Sequence, residues 1–171
     1  EHWGGIFAAH PWLAGPADSY LGFSRRGGGA LAEHSHGLHL LVTTLRAIGA
    51  GKIKEVNGQI RYKKDETLEY DEIADVSVVT ETGVLGRCVQ DVLTDPVKKE
   101  IEVFSNGWSG RVKFAKEKDV IFDSDCDEPC VNFEKSRPDD FIMELLHLDH
   151  VLSDNLPSPL DIENGLEVML I

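Results

Sequence analysis

The sequence is short of positive charge, of cysteine and of long apolar runs, and each shortage excludes a class of function. Lys and Arg number 17 against 30 Asp and Glu, a formal net charge of -13. Such a surface repels a phosphate backbone, so nucleic acid is not an expected partner. No stretch reaches the roughly 18 to 20 consecutive apolar residues of a spanning helix, and no basic start followed by an apolar run suggests a secretory signal. A protein of the cytoplasm, away from the membrane, is expected. The three cysteines, Cys88, Cys126 and Cys130, are an odd set. Cys126 and Cys130 lack the second ligand pair of a structural zinc site, so all three read as reduced thiols.

What is present suits a folded chain. The 171 residues are 42% hydrophobic and 27% charged, ordinary globular usage and enough for one domain with its own core. The chain opens on Glu1 without a Met and closes on Ile171 inside the apolar run Leu166, Val168, Met169 and Leu170. These ends read as the edges of a piece cut from something longer.

The first 29 residues are rich in Gly, His and aromatics, with Pro11 and Pro16 breaking any long helix. Leu38, Leu41, Val42, Leu45 and Ile48 then recur at helical spacing, predicting one helix over about Leu31 to Ile48, stopped by Gly49 and Gly51. Strand patterns follow at Ile53 to Tyr62, Ala74 to Thr80, Gly86 to Leu93, Lys99 to Phe104 and Gly110 to Phe114. Asp119 to Pro129 reads as a strand followed by a solvated loop. Strands in succession without intervening helices predict an α+β fold, with an open mixed or antiparallel sheet and helices on one face. Helix returns from Pro138, with Phe141, Leu145, Leu148 and Leu152 on one face. A last helix is expected to be capped by Ser158, or failing that by Asp161.

The densest chemistry lies in Glu33-His34-Ser35-His36-Gly37-Leu38-His39, directly after Gly27-Gly28-Gly29. On one continuous helix Glu33 and His36 would lie roughly 60° apart, nearly opposite the leucine stripe. His34 would fall on the apolar side as a core histidine, and His39 between the faces. A metal site of His34, His36 and His39 would not share one helical face, and the spacing of a helical zinc motif is absent. A polar helix start with capping groups remains open. The third reading is an acid/base His36 oriented by Glu33, beside a glycine run that lets a ligand approach the backbone. Gly27-Gly28-Gly29 is not a phosphate-cradling loop, for no Gly-Lys-Ser/Thr follows it.

The segments His10-Pro11-Trp12, Asp18-Ser19-Tyr20, Arg25 to Leu31 and Glu33-His34-Ser35-His36 together resemble the start of the C-terminal domain of the Gfo/Idh/MocA family of NAD(P)-dependent sugar and polyol oxidoreductases. Asp75 to Gly86 is similar to that family's strand pair with a Gly-containing turn, Lys99 to Phe114 to its β-hairpin, and Phe141 to Leu170 to its closing helices. The resemblance implies a sheet of the type in the C-terminal domain of glyceraldehyde-3-phosphate dehydrogenase, serving substrate binding and oligomerisation over residues 1 to 171.

It also implies roles. Glu33 matches the family's catalytic Asp with one extra methylene, and His36 matches its His in the variant with three-residue spacing. In the four-residue variant the position is Gly37, which has no side chain. Trp12, Tyr20 and Arg25 match positions near the sugar pocket, and His39 joins them as a substrate-binding candidate. His36 would take the hydroxyl proton of a secondary alcohol. NAD or NADP would be bound mainly by an N-terminal Rossmann domain, absent here, which also carries the family's Lys, so this piece alone should not turn over substrate. The open sheet face, with Val76, Val78, Ile101 and Val103 as candidates, would bury itself in a dimer or tetramer. Two other readings stay open: a stand-alone, non-catalytic assembly or ligand-binding module, and a metal-dependent hydrolase using His34, His36 and His39.

Overall fold

The computed structural model describes residues 18–125, 129–158 and 161–171. They form two compact units, the first from residues up to Lys98 together with Leu166–Ile171, the second from Lys99–Gly165.

The first unit begins with two short 3-10 turns, Tyr20–Gly22 and Ser24–Arg26, and then two helices, α1 (Gly29–Ala32) and α2 (His36–Ala47). A three-stranded antiparallel sheet follows, β1 (Ile53–Lys64), β2 (Glu69–Thr80) and β3 (Leu85–Asp91), with β2 in the centre. The leucine stripe does what its period predicts: Leu38, Leu41, Val42 and Leu45 are buried against Val76, Val78 and Cys88 of the sheet, with Val168 completing the cluster. Burying each such side chain stabilises the unit by roughly 1.5–3 kcal/mol. A smaller cluster of Leu21, Ala30, Tyr70 and Val92 lies under α1. The β2–β3 turn carries Gly83 at φ 83, and Thr82 Oγ1 ties it to the carbonyl of Ala50 at 2.6 Å.

The second unit is a four-stranded antiparallel meander, β4 (Lys99–Ser105), β5 (Trp108–Phe114), β6 (Lys118–Asp123) and β7 (Val131–Glu134), in that order. Asn106 and Gly107 form the two-residue connection between β4 and β5, with Gly107 at φ 75, the positive dihedral such hairpins need. Helix α3 (Asp139–Asp154) ends on Asn155 in the left-handed region, φ 51. A helix stands where one was expected from Pro138, but no residue of α3 is buried, and Phe141, Leu145, Leu148 and Leu152 of the expected apolar face are exposed. The last helix, α4 (Ile162–Met169), is capped by Asp161, whose Oδ1 accepts from the Asn164 amide at 2.8 Å. Ser158 was the first choice for that cap; its hydroxyl instead meets His147 Nε2 at 2.9 Å.

The fold is α+β, as expected, with both sheets antiparallel. Three features differ from the sequence reading. The strands divide into two sheets rather than forming one. The helix expected over Leu31 to Ile48 is two helices separated at Glu33–Ser35. Val76 and Val78, expected on an open face, are 6% and 2% exposed because α2 covers that side of the sheet. Ile101 and Val103 of β4 are half-buried. No helix among the described residues is long and apolar enough to cross a membrane.

Candidate functional site

The break between α1 and α2 sets the geometry of the site. In α1, the Ala30 carbonyl accepts from Gln90 Nε2 of β3 at 3.0 Å. In the first turn of α2, the Leu38 amide donates to Gln90 Oε1 at 3.1 Å. One buried amide, 1% exposed, thus satisfies a carbonyl and an N–H that a continuous helix would have used internally. The chain turns through Glu33, His34 and Ser35, and α2 restarts with His36 as its first residue.

The start of α1 is held from β2 in the same manner. Asp71, 3% exposed, accepts from Ser24 Oγ and from the Leu31 amide, each at 2.7 Å. Its own amide donates to Ser24 Oγ at 3.0 Å. Leu31 is the third residue of α1, so the Asp71 carboxylate caps the helix from a distant strand, where a negative charge suits the positive helix end.

These bonds explain the glycine run. Gly29 has φ 94, and a Cβ there would lie 2.1 Å from Asp71 Oδ1; a Cβ on Gly28 would lie 2.4 Å from the Leu21 carbonyl oxygen. Both glycines are buried. The run had suggested close approach of a ligand to the backbone. Two of its three members instead let the protein's own carboxylate and backbone approach, and only a Cβ on Gly27 would meet open space.

Of the residues singled out by sequence, Tyr20 and Glu33 are brought together: Tyr20 Oη donates to Glu33 Oε2 at 2.6 Å. That bond, then partial burial and the carboxylate's charge, raise the Tyr20 phenol above its ordinary range, so Tyr20 keeps its proton near neutrality. His36 is exposed at the α2 start, Arg25 is exposed, and His39 is half-buried in the first turn of α2. No hydrogen bond joins His36 to Glu33 among the described residues. Trp12 lies outside the described residues. His34 is 4% exposed, inside the fold as its position on the apolar side predicted. Among the described residues no group of three His, Cys, Asp or Glu side chains is placed to hold a metal.

Sequence reasoning missed Asp71 and Gln90, which hold the site's backbone. The only signal was their type: a carboxylate and an amide at positions in β2 and β3 that also carry buried side chains, where an unsatisfied polar group is costly.

No protein-family model matches the sequence, and no curated protein matches it. Solved structures do match its fold. An aldose-aldose oxidoreductase from Caulobacter crescentus superimposes over 92% of this chain with a TM-score of 0.71 at 14% identity. An oxidoreductase from Thermotoga maritima does so over 98% with a TM-score of 0.62 at 13% identity. Biliverdin reductase from Synechocystis, solved with biliverdin and NADP+, covers 90% with a TM-score of 0.62 at 13% identity. The chain spans about half the length of these proteins, 47%, 46% and 47%. A dinucleotide needs a glycine turn between a parallel strand and a helix. Both sheets here are antiparallel and the glycine run packs on Asp71 and Leu21, so the described residues do not fit one.

Proposed function

We propose that this chain is the substrate-side and assembly domain of an NAD(P)-dependent oxidoreductase acting on a secondary hydroxyl of a sugar or cyclic polyol. The observation that carries the reading is the exposed His36 at the α1–α2 break, on a fold whose match extends over nearly the whole chain to oxidoreductases. The NAD or NADP belongs to a domain outside these residues, and when bound there it would supply the hydride acceptor. His36 is the proton carrier. It needs to come within about 2.6–3.2 Å of the hydroxyl oxygen to take its proton.

Glu33 lies three residues before His36 in sequence and is joined to Tyr20. With the phenol's one proton donated to the carboxylate, the pair offers a fixed edge of acceptor oxygens to which sugar hydroxyls donate. Arg25 and His39 flank the same break in sequence and complete the candidate substrate contacts, with Trp12 on the approach segment.

The test is turnover by the protein that joins this chain to a dinucleotide-binding domain, followed through the near-ultraviolet absorbance of reduced nicotinamide. Sugars, cyclic polyols and a linear tetrapyrrole are offered in turn, because the fold also serves a protein solved with biliverdin. Turnover of a sugar or polyol is the expected result. Turnover confined to the tetrapyrrole would remove the substrate class, and none with any nicotinamide cofactor would remove the reading.

Assembly is part of the proposal. Phe104 of β4 is 75% exposed and Leu85 of β3 77%, and large apolar side chains left on open sheets favour association. The expected state is a dimer or tetramer. A mass by light scattering at micromolar concentration equal to one chain would count against it.

A further inference from the structure

We infer that Gln90 is a positioning residue for His36: the Gln90 amide, buried in β3, fixes the first turn of α2 and so the direction in which the His36 imidazole is presented. The inference rests on the proton-transfer role proposed for His36 and extends it to a residue 54 positions away in sequence.

The geometry leaves the amide one arrangement. Its Nε2 donates to the Ala30 carbonyl and its Oε1 accepts from the Leu38 amide, at 3.0 and 3.1 Å. Reversing the amide would set carbonyl against carbonyl and N–H against N–H, so the orientation is fixed by its two partners. Gly37 makes the approach possible: a Cβ there would lie 2.3 Å from Gln90 Oε1 and 3.0 Å from Cys88 Sγ. The residue directly after His36 therefore sits against β3 with no side chain between. His36 itself is exposed. Its backbone is the part held, two residues before the amide that Gln90 receives, and a change at Gln90 reaches the imidazole through that turn. The local arrangement matters because the site is a helix start, where the first N–H groups have no intrahelical acceptor. A residue that supplies one decides where the helix begins.

Two substitutions separate positioning from mere stability. Gln90→Leu fills similar space and gives neither bond. In this chain the Leu38 amide is expected to exchange with solvent at least about tenfold faster, with the amides of β2 unchanged. Gln90→Glu supplies a carboxyl that donates to Ala30 only while protonated. Burial raises its pKa above the ordinary carboxyl value, so the native arrangement is present below that value and lost as pH rises through the raised one. The exchange defect of Gln90→Glu should accordingly shrink as pH falls from about 8 to about 5.

In the protein that carries a dinucleotide-binding domain, Gln90→Leu should lower kcat by about 10²-fold with KM little changed, the usual scale for misplacing a reacting group by about 1 Å. Val168→Ala, a change in the core cluster under α2 that touches neither Gln90 hydrogen bond, should lower the unfolding midpoint and leave kcat unchanged. Unaltered Leu38 exchange in Gln90→Leu, or an equal kcat loss in Val168→Ala, would overturn the inference. If His36→Ala keeps full turnover, the proton-transfer reading is what fails. The exchange measurement then still decides whether Gln90 holds the turn.

Discussion

His36→Ala is expected to lower kcat by about 10² to 10⁴ in a protein that joins this chain to the proposed dinucleotide-binding domain, the usual cost of losing a positioned acid/base. The fold should be untouched, since His36 is an exposed first residue of α2 and surface changes of this kind fall within about 0.5 kcal/mol. The discriminating pair of measurements is kcat beside the denaturation midpoint. A drop in kcat at constant midpoint assigns the loss to chemistry, whereas full turnover would sink the role given to His36. Glu33→Gln is the companion variant. It keeps an oxygen that accepts from Tyr20, so a loss smaller than that of His36→Ala is expected, and an equal or larger loss would move the proton-carrying role toward Glu33.

Asp71→Ala is expected to be the most destabilising single change near the site, by about 3 kcal/mol. Hydrogen bonds to a charged acceptor contribute about 1.5–3 kcal/mol each. The carboxylate accepts two, from Ser24 Oγ and the Leu31 amide, in a place 3% exposed. Removing it leaves the Leu31 N–H buried without its acceptor and uncaps α1. The expected loss exceeds that of a surface helix cap, about 1 kcal/mol, because both bonds to a buried carboxylate are lost together. Urea denaturation of this chain, read at a probe in the first unit, measures it. A loss under about 1 kcal/mol would mean that α1 does not depend on Asp71 for its start.

The elements with strong local patterns were legible. Leu38, Leu41, Val42 and Leu45 predicted the buried face of α2, five strand runs were placed near their observed positions, and a helix over Asp139 to Asp154 stands where one was expected from Pro138. What escaped depends on partners far away in the chain. The helix expected over Leu31 to Ile48 is divided by Gln90 and its first piece is started by Asp71, 60 and 40 residues from their partners Ala30 and Leu31, and no helical period carries that information. β7 has only four residues, all exposed, too few to show an alternation. That the strands pair as two sheets rather than one is a matter of register between segments, and composition does not encode it.

The candidate site was legible in its residue types and less so in its joins. Tyr20, Glu33 and His36 stood out as chemistry-bearing side chains. The bond between Tyr20 and Glu33 spans two turns and a helix and was not foreseen. The glycine run was noticed for the right reason, lack of a side chain, but the neighbour that requires it is the protein's own carboxylate.

Val168 has a consequence for how the molecule is made. It is 8% exposed within the cluster of Leu38, Leu41, Val42 and Leu45, and Glu167 beside it binds Arg46 of α2. During synthesis the first unit therefore leaves the ribosome with one part of its core unfilled until residues some 120 positions later arrive. The β4–β7 meander, built from neighbouring hairpins, has no such wait. Its hairpins draw on no residue beyond Glu134, and local contacts of this kind form early, whereas the first unit gains Val168 last.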